Sequence, residues 1–264
     1  LHQRRVGLSG TLDPMATGLL VVFVGRATRA VEFAEGHDKR YLASLRLGLV
    51  TDTQDISGTV LERREASVTR GELEAALEAF KGEQEQLPPM YSAIKHKGRP
   101  LYEIARKGGE VERKPRKINV YDMRLLGEDR GDYLLDIRCS KGTYVRTLCH
   151  DLGHALGCGG CMSSLRRLEA GGFSVDKAHK LSEVQEYADR GRAEELLLPV
   201  DGLFTELNSC VAEAWQERKL RCGNEYSVGL PDGDYRVYSA SGEFLMLGRV
   251  ENKTMKTLKS FFEV

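Results

Sequence analysis

The sequence predicts an α/β (α+β) protein, with a central mixed, largely antiparallel sheet flanked by helices and a small C-terminal β unit behind it. Three observations carry this. Segments of period two alternate with segments of period 3.6 through the first two thirds of the chain. Beyond about Leu203 the pattern changes to short strand-like runs punctuated by Gly223, Gly229, Gly233, Gly242 and Gly248. The 264 residues, 41% hydrophobic and 30% charged, suffice for one large domain or a medium one plus a small one.

Taken in order, the chain opens with a basic stretch, His2 to Gly7, that holds Arg4 and Arg5. Next comes Gly10-Thr11-Leu12-Asp13-Pro14-Met15-Ala16-Thr17-Gly18, a turn that presents one carboxylate. Pro14 drives Asp13 out of the helical region, and the two glycines allow angles or approaches closed to other residues. The apolar run Leu19 to Val24 is expected to be buried and to anchor this loop. Tyr41 to Gly48 alternates as a strand, with Tyr41, Ala43, Leu45 and Leu47 on one face. A polar turn, Thr51 to Gly58, leads to a short strand near Thr59 to Leu61.

Thr69 to Lys81 has the pattern of a helix. Thr69 and Glu72 fit a capping box, and Leu73, Ala76, Leu77 and Phe80 form one apolar stripe. Ile118 to Leu126 and Tyr133 to Ser140 read as two strands joined at Asp129-Arg130-Gly131-Asp132. A second helix follows Tyr144, with Val145, Leu148, Cys149, Leu152, Ala155 and Leu156 on one face and Gly157 at its end. Ser182 and Gln185 suggest a capping box on a short helix to Ala188. Tyr235 to Tyr238 and Phe244 to Val250 read as strands of the C-terminal unit.

Net charge is formally zero, yet it is unevenly placed. Between Pro88 and Lys117 stand nine basic and three acidic residues, with Tyr91, His96 and Tyr102 among them. A basic, Gly- and Pro-punctuated insertion with aromatics suits contact with RNA phosphates and bases; a solvated surface loop has the same composition. Six cysteines without a secretory signal predict free thiols and a cytoplasmic location. The apolar runs are too short to span a bilayer. The chain begins with Leu1 directly ahead of a motif, so its natural start is expected upstream.

Three polar groups, Asp13, Tyr144 and Arg146, sit at loop or element edges from which they can converge. A buried carboxylate needs a cationic or hydrogen-bonding partner, and arginine can supply two parallel bonds. An aspartate so held can act as a nucleophile, and a nearby tyrosine can stack on a base or move a proton. Two rival readings use other residues. His150, His154, Cys158 and Cys161 have spacings that zinc accepts, but one C-x2-C pair lacks a second, and Gly157 to Gly160 reads as a helix exit. A glycosidase would need a second carboxylate; Asp52 and Asp55 are available, though both fit a turn. No phosphate-cradling loop or dinucleotide fingerprint is present.

With these motifs in hand, the chain resembles the TruB family of tRNA pseudouridine synthases. The matching pieces, in order, are Gly10 to Gly18, Lys39 to Gly48, and Thr51 to Asp55 with Gly58. They continue with Pro88 to Lys95, Gly98 to Tyr102, Cys139 to Arg146, and Leu165-Arg166-Arg167-Leu168. The resemblance implies isomerisation of the T-loop uridine at tRNA position 55 to pseudouridine, with no cofactor and no metal. It implies catalytic roles for Asp13, Tyr144 and Arg146, with Tyr41 stacking on the uracil, Tyr144 beneath the base, and Leu165 lining the pocket. Lys95 is expected to bind RNA. Residues 88–117 resemble the family's thumb, gripping the tRNA T-arm. The implied division is a synthase domain over 1–206 and a small PUA-like RNA-binding domain over 207–264, in a monomer that makes no use of a membrane. One departure stands out: Leu8 occupies the substrate-contacting position where the family commonly has histidine. That departure motivates a second expectation, a catalytically impaired RNA-binding or tRNA-chaperone module.

If the insertion lies on phosphates, replacing Lys95, Lys97, Arg106 and Lys107 with alanine will flatten the dependence of log K on log salt. The slope should fall by roughly 0.7 to 0.9 for each phosphate that the protein no longer neutralises. A filter-binding titration with tRNA measures it, and an unchanged slope would remove the insertion from the interface.

Overall fold

The computed structural model describes residues 3–262. Leu1 and His2, which begin the basic N-terminal stretch, lie outside them. The chain forms two compact units: Thr11–Leu20 with Gly36–Ala178, and Leu1–Gly10 with Val21–Glu35 and His179–Val264.

The first unit is built on a seven-stranded sheet. Its order is Phe173–Ser174, Gly160–Ala170, Lys39–Leu47, Asp132–Cys139, Arg116–Asp129 and Gly82–Gln86, with the short strand Thr17–Gly18 also paired to Gly160–Ala170. That last pairing is parallel and the others are antiparallel, so the sheet is mixed and largely antiparallel as expected. Alternation along Lys39–Leu47 buries Tyr41, Ala43 and Leu45. Val120, Met123, Leu135 and Ile137 join them from neighbouring strands. Leu73 and Leu77 of the helix Arg70–Ala79, and Leu148 and Leu152 of the helix Val145–Ala155, close the core over this face. Each fully buried leucine contributes about 1.5–3 kcal/mol relative to exposure. The other face carries forked ion pairs across strands. Arg40 meets Asp136 at 2.9 and 2.7 Å, and Arg46 meets Asp132 at 2.6 and 2.9 Å.

The capping box at Thr69 is present, with Glu72 accepting from the Thr69 amide at 2.7 Å. The basic insertion leaves the sheet after Gln86 and returns at Arg116, residues that pair with each other. It holds a small hairpin, Lys95–His96 with Arg99–Pro100, and a one-turn helix, Leu101–Ala105. Of its nine basic side chains all but Arg113 are exposed, so the insertion carries its charge on its surface.

The second unit contains a five-stranded sheet in the order Asn208–Val211, Gly233–Tyr238, Phe244–Glu251, Thr254–Ser260 and Tyr226–Ser227. Tyr235, Val237, Leu245, Met246 and Val250 fill its core together with Leu220 from the helix Ala214–Arg221. A hairpin of Val6–Ser9 with Val21–Val24 belongs to the same unit. Among the described residues no helix is long and apolar enough to cross a membrane.

Four local expectations change. The helix exit expected over Gly157 to Gly160 is present, but it leads into an eleven-residue strand, Gly160–Ala170, that the sequence pattern did not announce. Its serines and arginines hide the period, yet Arg167 is buried. The helix near Ser182 begins at Leu181 behind Lys180, with no side-chain cap, because Ser182 lies inside the first turn and Gln185 bonds Asp189. The helix Ala214–Arg221 is not foreshadowed by the local pattern. The run Leu19 to Val24 is only partly buried, with Val22 at 49% exposure.

The Asp13 loop is anchored instead through Gly18, at φ +94°, where a Cβ would lie 2.2 Å from the Arg167 carbonyl oxygen. Gly18→Ala should therefore destabilise the fold by about 2 kcal/mol or more. Gly71→Ala, at an exposed helical site with open space around it, should be neutral or stabilise by about 0.5 kcal/mol. Urea unfolding of the two variants measures both; equal stabilities would mean that the loop is not held through Gly18.

Candidate active site

The loop that carries Asp13 is fastened at both ends of its turn. The Ala16 amide donates to the Asp13 carbonyl at 2.8 Å. Thr17 and Gly18 then pair with Arg166 and Arg167, the Leu19 amide donates to the Arg167 carbonyl at 2.9 Å, and Arg167 Nε donates to the Leu19 carbonyl at 2.7 Å. Met15 and Ala16 pack on the core below. A single carboxylate is thus held at the edge of the sheet on a short, fixed loop.

Arg146 comes from the first turn of the helix Val145–Ala155, and only 6% of its side chain is exposed. It donates to Asp13 Oδ1 at 2.8 Å, to the Tyr91 carbonyl at 2.8 Å and to the Thr53 carbonyl at 3.2 Å. A second carboxylate, Asp55, stands 3.5 Å from the same guanidinium. Asp55 Oδ1 accepts from Thr53 Oγ1 and the Ser57 amide, each at 3.0 Å, and from the Ser57 hydroxyl. The loop around it is stitched to Gly160–Ala170 through the Gln54 carbonyl, which accepts from the Met162 amide at 3.0 Å, and the Ile56 amide, which donates to the Met162 carbonyl at 2.9 Å.

One cation shared by two carboxylates leaves the cluster short of positive charge. Burial raises the Asp13 pKa above the ordinary carboxylate range; Arg146 opposes this, and the charge of Asp55 adds to it. Asp13 keeps 27% of its side chain open, so the carboxylate remains reachable. Tyr41 lies in the core with its hydroxyl pushed up to about 12, chiefly by burial. Cys139 and the nearby charge of Asp13 add to that rise, and Arg167 works against it. The Tyr41 hydroxyl is therefore no base near neutrality.

Leu165 is buried in the same cluster as Tyr41. Tyr144 is the residue ahead of the helix that carries Arg146, and its backbone is held from both sides by Gln86 at 2.8 and 3.0 Å. Lys95 is exposed on the hairpin of the insertion. Leu8 belongs to the second unit, on the strand Val6–Ser9, with 41% exposure. Asp13 and Arg146 are thus in direct contact, with Tyr41 within electrostatic reach. Sequence reasoning had assigned Asp55 to a turn; it does hold that turn, and it also reaches Arg146. Asp52 accepts from the Thr59 amide at 2.7 Å. The parts played by Arg167 and Gln86 were missed, and nothing local distinguishes Gln86 from the polar residues around it. Among the described residues no group of three or more His, Cys, Asp or Glu side chains could hold a metal ion. Cys158 donates within its own turn.

Residues 1–145 match the model of the TruB family pseudouridylate synthase N-terminal domain, and residues 146–205 match that of the tRNA pseudouridylate synthase B C-terminal domain. The chain belongs to the TruB family. It is 49% identical to tRNA pseudouridine synthase B of Chromohalobacter salexigens over 85% of this chain and 73% of that protein. With the enzyme of the same name from Alkaliphilus oremlandii it shares 38% identity over all of this chain and 91% of that one. Among solved structures, it resembles a chain of an H/ACA RNP bound to a substrate RNA containing 2′-deoxyuridine. The TM-score is 0.71 at 20% identity, covering 99% of this chain and 77% of that one. A chain of a Cbf5-Nop10-Gar1 complex gives the same TM-score at 22% identity, with 98% and 77% covered. These two likenesses show the fold.

If activity needs the Asp13 carboxylate, it will fall as pH drops through a value above the ordinary aspartate pKa of about 3.9. Removing Arg146 removes the one influence that lowers it, so Arg146→Met should move the acid limb of kcat/KM upward. A pH–rate profile checks this, with thermal unfolding alongside because the loss leaves two carboxylates uncompensated. An unmoved limb would mean that Asp13 is not the titrating group.

Proposed function

We propose that this chain converts the T-loop uridine at tRNA position 55 to pseudouridine, with Asp13 as its catalytic residue. Its relatives are named tRNA pseudouridine synthase B, and membership of the TruB family makes it a tRNA pseudouridine synthase. The observation that carries the finer reading is the Asp13–Arg146 contact in a setting where the carboxylate is held, partly open and raised in pKa.

The reaction breaks the N1–C1′ bond of the uridine, turns the base and joins C5 to the same C1′. The C5 proton leaves and N1 gains one, so atoms balance without a cofactor. A base inside a folded T-loop must leave its stack to be reached. In this reading Tyr41 receives the uracil on its ring face, with Leu165 beside it. Asp13 acts at the sugar-bearing bond, oriented by Arg146, and Tyr144 handles a proton beneath the base. The exposed lysines and arginines of residues 88–117, Lys95 among them, bind the T-arm backbone. Residues 207–264 act as a PUA-like RNA-binding domain, in addition to the synthase domain at 1–206. The protein works as a cytoplasmic monomer, with tRNA as its partner and no metal.

A second reading is supported by Leu8. Leucine fills space but cannot hydrogen-bond, so a chain that binds and remodels tRNA with impaired chemistry also fits that position. Release of tritium from C5-labelled uridine in a T-arm transcript separates the two: tight binding without release favours the second. Asp13→Asn should abolish release while leaving tRNA affinity within about threefold. Unchanged turnover would reject Asp13 as the catalyst.

A further inference from the structure

Gln86 is the last residue of the edge strand Gly82–Gln86, and it faces Arg116 in the sheet. That rung is where the basic insertion leaves the sheet and returns to it. The Gln86 side chain does not point into the insertion. It turns to the N-terminus of the helix Val145–Ala155, where its Oε1 accepts from the Tyr144 amide at 2.8 Å and its Nε2 donates to the Tyr144 carbonyl at 3.0 Å. The residue is 3% exposed. A buried primary amide with both ends spent on one residue fixes that residue's peptide groups in two directions. The Tyr144 carbonyl also accepts the helical bond from Leu148 at 3.1 Å, whereas the Tyr144 amide, at the helix cap, depends on Gln86.

We propose that Gln86 is a positioning residue for Tyr144, setting the ring's place in the uridine pocket from the rung at which the insertion is rooted. The proposal rests on the reading of Tyr144 as a pocket residue. It gives the insertion a direct mechanical link to the reacting centre. Shortly after Gln86 in the chain, the Tyr91 carbonyl accepts from Arg146 at 2.8 Å, so the root of the insertion touches both Tyr144 and Arg146. RNA that grips the insertion would bear on Tyr144 and on Arg146, the partner of Asp13.

Two variants test this. Gln86→Met keeps the volume and removes both bonds; Gln86→Glu keeps an acceptor for the Tyr144 amide and loses the donor. With enzyme in excess over a T-arm transcript, Gln86→Met should slow single-turnover pseudouridine formation about tenfold or more, with RNA affinity within about threefold. Gln86→Glu should fall between it and the parent. In a Tyr144→Leu background the same Gln86→Met change should cost less than about threefold, because the ring it acts through is gone. No loss in the parent background, or an equal loss in both, overturns the proposal. A second readout needs no turnover. In 3-fluorotyrosine-labelled protein, the Tyr144 19F line, assigned by its absence in Tyr144→Leu, should shift or broaden in Gln86→Met. An unmoved line overturns the positioning role. A parent that forms no pseudouridine would sink the proposed reaction, while the 19F line would still decide the role of Gln86. If Gln86→Met does not fold, Gln86→Glu carries both measurements.

Discussion

The guanidinium of Arg146 is the constraint on which the site depends. It is buried, and its two terminal nitrogens donate to the Asp13 carboxylate and to the carbonyls of Thr53 and Tyr91, with Asp55 close by. Those partners come from three separate loops, and each loop reaches the helix Val145–Ala155 by a different route. Burying a cation is costly unless its partners are in place, so the three loops are held in one arrangement or the pair is lost. The same arrangement explains the electrostatics. Burial raises the Asp13 pKa, Arg146 works against that rise, and the second carboxylate, Asp55, adds to it.

The remainder of the first unit serves to present this cluster. The strand Gly160–Ala170 pairs with Lys39–Leu47 on one side and accepts the Asp13 loop on the other, and it also anchors the loop that carries Asp55. Tyr41 and Leu165 reach the common core from those two strands. The sheet thus places Tyr41, Leu165 and the Asp13 loop on adjacent elements. The forked Arg40–Asp136 and Arg46–Asp132 pairs on the opposite face hold the strands in register.

Much of this was legible in the chain. The period of Tyr41 to Leu47, the Thr69 capping box and the apolar stripe of the Val145 helix follow from local side-chain chemistry, which the sequence displays directly. Asp13 and Arg146 were readable as partners because each stands at an element boundary and each needs an opposite charge. The strand Gly160–Ala170 was not readable, since its outward serines and its buried Arg167 break the alternation. Arg167 is satisfied by the Leu19 carbonyl, a partner 148 residues away. Asp55 and Gln86 were obscured for the same reason. Their local setting is an ordinary turn or strand end, and their importance arises only when a distant helix meets them.

The most direct test of the account is a crystal structure of this chain with a T-arm stem-loop carrying 5-fluorouridine at position 55. The account predicts that the fluorinated base is out of the stack, lying against the Tyr41 ring, with the Asp13 carboxylate within about 3.5 Å of the nucleotide and still bonded to Arg146. A base that stays stacked in the loop, or that is seated away from Asp13 with the Asp13–Arg146 pair broken, would contradict it.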